Sequence, residues 1–97
     1  MDLKIFTEEI QNFIRKVNAK RNQSGILDYD TCQSVLECAA ETQSDAIFGI
    51  GYYYFAEYYM NLADASQAMH CLAECAQCFR NTDLFEYLPR VYNMMGV

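Results

Sequence analysis

From Ser44 to Phe79 the chain reads SDAIFGIGYYYFAEYYMNLADASQAMHCLAECAQCF. An apolar stretch is followed by a short polar break and a second apolar stretch, both at helical period. Small residues fall where two helix axes would come close, and large aromatics fall elsewhere. This is the build of a helix–turn–helix unit, which cannot bury its own faces and must stack on neighbours.

The same reading over the whole chain predicts five helices. The first spans about Asp2 to Ala19, with Phe6, Ile10, Phe13, Ile14 and Val17 on one face and Asp2 as N-cap. Lys20 to Gly25 is polar, ends in Gly and reads as a loop. The second helix spans about Tyr29 to Thr42, and its narrow stripe is Cys32, Val35, Leu36 and Ala39. The third spans about Asp45 to Asn61, with Ser44 as cap. It is aromatic almost all round, so it is either buried between other helices or carries an exposed binding face.

Asp64 opens the fourth helix, with Gln67 three residues on in a capping-box pattern. Its stripe is Ala65, Ala68, Met69, Leu72, Cys75, Ala76 and Phe79. Asp83 and Glu86 open a fifth, with Leu84, Leu88, Val91, Tyr92 and Met95 along one face. Pro89 is expected to kink that helix or delay its start. Its stripe runs to the last residues without a polar cap. The expectation is therefore an N-terminal piece of a longer protein, or an end covered by a second copy of the chain. Strand signals are nearly absent, so the fold class is all-α, an antiparallel helix-pair array in one domain over residues 1–97.

Composition fits this picture. Ninety-seven residues, 53% of them hydrophobic, with only 4 Gly and 1 Pro, make one ordered domain with one core. Charge adds a restriction. Residues 1–24 carry five cations against three acids, whereas the remainder carries two cations against ten acids. Phosphate contacts need clustered Lys and Arg, so nucleic acid is not an expected partner. The small cluster from Arg15 to Arg21 reads as complementing a helix C-terminus, with a lipid or nucleic-acid contact as the alternative. No signal peptide or membrane span is visible, which gives a cytoplasmic expectation and no membrane partner. Five cysteines at these spacings are expected to be free thiols.

Around Gly51 the residues resemble the tetratricopeptide repeat family. Ile47, Ile50-Gly51 and Tyr54 match the order of its helix A, and Ala68, Leu72 and Cys75 match helix B, with Cys75 in place of the usual Ala. Tyr92, Met95 and Gly96 look like the opening of a second repeat. The interval from Gly51 to Ala68 exceeds the family's by about one turn, and Asn81-Thr82 stands where a Pro is usual. The segment EYLPRVYNMMGV also resembles N-terminal sensory repeats that precede diguanylate cyclase domains in gut-type anaerobic bacteria. That second resemblance implies an input module of a bacterial cyclic-di-GMP signalling protein. No cyclase signature lies in these residues.

The repeat family builds its concave surface mainly from helix A. Carried over by position, Phe48, Tyr52, Phe55 and Tyr59 would line that surface and bind a protein or peptide segment. Ile47, Ile50, Tyr54 and Tyr58 would face helix B and the core. Tyr brings contact area and a hydrogen-bonding tip at low entropic cost, which suits recognition. The alternative is that these rings pack within the chain or across a homodimer, making this a structural dimerisation domain.

Other chemistry is thin. Cys71, Cys75 and Cys78 share a helix face beside His70. Strong zinc motifs place a CxxC knuckle in a loop with a second pair elsewhere, so packing is the favoured reading over a metal or redox role. Cys32 and Cys38 read as packing residues. Glu57 among the tyrosines is either solvent-facing or a buried carboxylate with raised pKa. No phosphate loop is present, and Gly49-x-Gly51 lies inside a helix, explained by close packing. No cofactor, metal or catalytic residue is expected, and so no enzymatic activity of this segment.

Overall fold

The structure, a computed structural model, describes residues 8–82 and Val91. These residues form helices α1 (Glu8–Asn18), α2 (Tyr29–Thr42), α3 (Asp45–Asn61) and α4 (Ala65–Arg80). The fold is all-α, and no strand occurs among the described residues. Val91 has helical backbone and is fully buried. The rest of the expected fifth helix lies outside the described residues, as do the first turns expected from Asp2, the EYLPRVYNMMGV resemblance apart from Val91, and the second repeat opening at Tyr92.

Helices α2, α3 and α4 each begin where a side chain can satisfy free N–H groups. The Thr31 N–H donates to Asp28 Oδ1 at 2.8 Å, Ile47 N–H to Ser44 Oγ at 3.2 Å and Gln67 N–H to Asp64 Oδ1 at 3.1 Å. The Thr31 bonds hold the Asp28 carboxyl below its ordinary range.

The connections on either side of α3 are built alike. Gln43 and Ala63 adopt left-handed φ values of 52° and 59°. After α2, Ser44 N–H donates to Ala39 O at 3.1 Å and Gln43 N–H to Ala40 O at 3.4 Å. After α3, Asp64 N–H donates to Tyr59 O at 2.9 Å and Ala63 N–H to Met60 O at 3.0 Å. Both are Schellman closures, and both occupy the left-handed position without glycine. In each case the next residue is the N-cap of the following helix. Connections this short force consecutive helices to lie antiparallel. Side-chain contacts agree: Tyr29 at the start of α2 meets Phe55 and Tyr58 late in α3.

Helix α3 is the centre. Its buried residues are Gly49, Ile50, Gly51, Tyr53, Tyr54, Phe55 and Ala56. At about 100° per residue these positions point in nearly every direction, so the helix is enclosed by others. Two glycines set how closely. A Cβ on Gly49 would lie 2.5 Å from Cε1 of Phe79 on α4, and one on Gly51 would lie 2.6 Å from Cδ2 of Leu36 on α2. The two glycines are roughly 200° apart around the helix, so α4 and α2 approach from opposite sides. The core continues through Cys32, Val35, Leu72, Cys75 and Phe79 to Ile14 and Val17 of α1.

Helix α1 joins by a different device. The ten residues between α1 and α2 are shaped by Asn22, whose Oδ1 accepts from the N–H groups of Ser24 and Ile26. Arg21 then ties the loop to the core. It donates to Asn18 Oδ1 at 3.0 Å, to Gly25 O at 2.9 Å and to Glu57 Oε2 at 3.2 Å. Its guanidinium sits 5.4 Å from the centroid of the Tyr54 ring, and the Tyr54 hydroxyl donates to the same Asn18 oxygen at 3.4 Å. Glu57 is thus neither a solvent-facing surface acid nor an isolated buried one: it is half-buried and paired. A pair this exposed contributes roughly 0.2–1 kcal/mol, so its role is to fix geometry. Arg15 serves locally, donating to Asn12 and Gln11. No helix of the described residues is long and apolar enough to cross a membrane.

The two glycines separate by what they touch. Phe79 is fully buried and has nowhere to move, whereas Leu36 presents the far end of a half-buried side chain. Gly49→Ala is expected to lower stability in urea unfolding by about 1–2 kcal/mol, overpacking outweighing the gain in helix propensity. Gly51→Ala is expected to cost less, under about 1 kcal/mol, because the Leu36 tip can turn aside although buried Val35, 3.2 Å away, yields little. Equal losses would mean that both faces are equally rigid.

Candidate functional site

Three helices each contribute a stripe at helical spacing to one hollow: Tyr29, Gln33 and Leu36 from α2, Tyr52, Phe55 and Tyr59 from α3, and Gln67, His70 and Cys71 from α4. The spacings of three, four and seven keep each set on one face of its helix. The hollow is open to solvent and has a volume of about 210 Å³. Small-molecule sites usually enclose roughly 300–1,000 Å³, so this one suits part of a larger ligand rather than a whole small one.

Its aromatic wall is a mutually packed cluster. Tyr29 meets Phe55 edge-on at 5.2 Å and Tyr58 at 5.8 Å. Phe55 and Tyr59 lie nearly parallel at 6.2 Å, and Tyr58 meets Tyr59 edge-on at 5.2 Å. Such pairs add about 0.5–1.5 kcal/mol each beyond area burial, so the wall is preformed. Leu36 belongs to both the hollow and the Gly51 contact, which makes the hollow a consequence of how closely α2 meets α3.

Three of the residues expected to bind a partner, Tyr52, Phe55 and Tyr59, come together here. Phe55 is 5% exposed and forms part of the core as well as the lining. Phe48 is half-buried on the same side of α3, one turn before Tyr52, and does not line the hollow. Ile50 and Tyr54 are buried in the core, and the Tyr54 ring and hydroxyl meet Arg21 and Asn18. Tyr58 departs from expectation, since its ring packs on Tyr29 of α2 rather than toward α4. Tyr29 is the lining residue that the sequence reading missed. It stands at the first position of α2, outside the apolar stripe, and 45% of it is exposed. Gln33, Gln67 and His70 were missed likewise. The one available signal was that Gln33 and Leu36 continue the face that Tyr29 begins.

Chemically the hollow offers phenols, amides, an imidazole and one thiol. Burial raises the Tyr52 phenol above its ordinary range, and the neighbouring Glu74 carboxylate adds to this. Desolvation raises Tyr59, reinforced by Tyr29 and then Cys71. Desolvation followed by Glu74 raises Cys71. These groups are therefore uncharged hydrogen-bonding surface near neutral pH, not activated nucleophiles. Three further thiols behave alike. Burial pushes Cys32 up to about 11 and raises Cys75 and Cys78 as well. All five cysteines are free, and no group of three or more His, Cys, Asp or Glu among the described residues is arranged to hold a metal ion.

No family model matches the chain, and neither a curated protein nor a solved structure does. What the site does has to be argued from its own residues.

The Cys32 thiol supplies a test of this packing. Its pKa in the fold is raised above that of the unfolded chain, so its contribution is intact below about pH 9. As pH climbs from there toward about 11, the unfolded chain ionises first and stability falls. The expected loss from this thiol is on the order of 2 kcal/mol. Urea unfolding at pH 8 and pH 11 is expected to show a smaller alkaline loss in Cys32→Ala than in the parent (the pH values being chosen to bracket roughly that range). An identical loss in both would place the thiol in contact with water.

Proposed function

We propose that this segment is a non-catalytic interaction module that receives a protein or peptide segment in the hollow between α2, α3 and α4. The observation that carries the proposal is a preformed, open aromatic wall of Tyr29, Phe55 and Tyr59, with Tyr52 beside it in the lining and Gln33, Gln67 and His70 at the rim. Tyrosine-rich surfaces with amide neighbours bind by area and adaptable hydrogen bonds, and the rings here lose little entropy because they already hold one another. Raised phenols and thiols offer no nucleophile, which favours binding over catalysis. Antiparallel helices joined by tight turns are compatible with a tetratricopeptide-like array. An input role ahead of a cyclic-di-GMP enzyme in a bacterial cytoplasm belongs to the same reading and rests on resemblance alone.

A second reading, a structural homodimerisation domain, draws on different residues. Leu62 is 59% exposed and Met60 47%, both at the turn from α3 to α4. Against it stands the acidic balance of residues 25–97, because paired copies of one acidic face repel.

Peptide selection from a random displayed library tests the first reading. Phe55 is a core residue, and truncating it would cost about 3–5 kcal/mol in stability, so it cannot serve as the probe. Tyr29→Ala and Tyr59→Ala are expected to weaken selected peptides by tenfold or more (about 1.4 kcal/mol or above) while the circular dichroism spectrum stays helical. Peptides that ignore both substitutions would place binding elsewhere. For the second reading, light scattering at micromolar concentration is expected to give a dimer. A monomer leaves only the first.

A further inference from the structure

The walls of the hollow are of one charge. Residues 22–79, which span α2, α3 and nearly all of α4, carry eight carboxylates and no Lys or Arg. Among the described residues, Glu57 alone is paired with a cation, Arg21, on the side of α3 that faces α1. Two of the remaining acids stand close enough to act on the lining residues. Glu74 lies three and four residues past Cys71 and His70, on their face of α4, and Asp64 caps α4 three residues before Gln67, its carboxylate accepting from the Gln67 N–H. Asp30, beside Tyr29, is exposed.

We propose that the segment received in this hollow is cationic, an apolar side chain flanked by Lys or Arg. The inference rests on the peptide-binding reading given above and narrows it to one class of partner. The apolar side chain fills the space between Tyr52, Phe55 and Tyr59. The flanking cations meet Glu74 and Asp64, and they lie on the tyrosine faces. The chain already makes this last contact internally, with Arg21 over the Tyr54 ring. An acidic peptide or a nucleic acid is repelled by the same carboxylates, as is a second copy presenting this face. Steering by the acidic field also speeds the encounter with a basic partner, so the preference falls with added salt.

The test uses labelled peptides that share one pattern of Leu and Phe and differ only in the interleaved residues, which are Lys, Gln or Glu. Binding is followed by fluorescence anisotropy against the whole chain. The Lys peptide is expected to bind at least about tenfold more tightly than the Gln peptide, and the Glu peptide weakest. Salt should narrow the difference. The double variant Glu74→Gln with Asp64→Asn removes the charges while Asn still caps α4. It should bring the Lys peptide down to the Gln peptide's affinity and leave the latter unchanged.

Equal binding of the Lys and Gln peptides, both lost in Tyr29→Ala, overturns the charge preference and keeps the peptide-binding reading. Binding of the Lys peptide that survives Tyr29→Ala shows diffuse attraction to an acidic surface and overturns this inference. Self-association of the chain that the Lys peptide cannot displace makes a second copy the occupant and likewise overturns it. Failure of all three peptides overturns both readings.

Discussion

The structure depends on how closely two helices can approach α3. Gly49 leaves room for the Phe79 ring of α4 and Gly51 leaves room for Leu36 and Val35 of α2. With side chains at both positions, one neighbour or the other would have to stand off. The full burial of Ile50, Ala56, Leu72 and Cys75 needs both approaches at once. The hollow follows from the same constraint. Drawing α2 and α4 onto opposite sides of α3 leaves a strip of α3 less covered between them, and Tyr52, Phe55 and Tyr59 line that strip.

Aromatic residues do two jobs on this helix. Tyr53, Tyr54 and Phe55 are buried, whereas Tyr52, Tyr58 and Tyr59 are half-buried. The surplus of rings on one helix is thus divided between core and surface, with Phe55 belonging to both. Cysteine is used differently. Cys32, Cys71 and Cys75 serve as small apolar residues at helix contacts, and their desolvated thiols stay protonated.

The bounds of α2 and α3 and the start of α4 were readable from sequence, because Ser44 and Asp64 follow short polar breaks and precede strong apolar runs. The core stripe of α2 was readable for the same reason, since Cys32, Val35 and Ala39 recur at helical spacing. The turns themselves were less so. Their left-handed residues are Gln43 and Ala63, not glycine, so the strongest marker of a helix end is missing. Facing on α3 was legible only in part. A helix apolar all round has no amphipathic signal to say which ring points where, and Tyr58 turned to α2 although a neighbour on α4 was expected. The Arg21–Glu57 pair and the entry of Tyr29 into the hollow join residues far apart in sequence, which no local periodicity encodes.

The two tight connections around α3 also bear on how the chain finds its fold. Because Gln43-Ser44 and Leu62 to Asp64 bring each helix straight back onto the one before it, the contacts among α2, α3 and α4 are largely between neighbours in sequence. Low contact order of this kind places folding in the range of roughly microseconds to milliseconds, since little loop entropy is lost before contacts form. Helix α1 lies across a ten-residue loop, and its polar tether spans 36 residues from Arg21 to Glu57. Its docking is held by a polar tether rather than by a tight turn. On this topology the three-helix unit that holds the hollow is expected to assemble before α1 closes on the far side of α3.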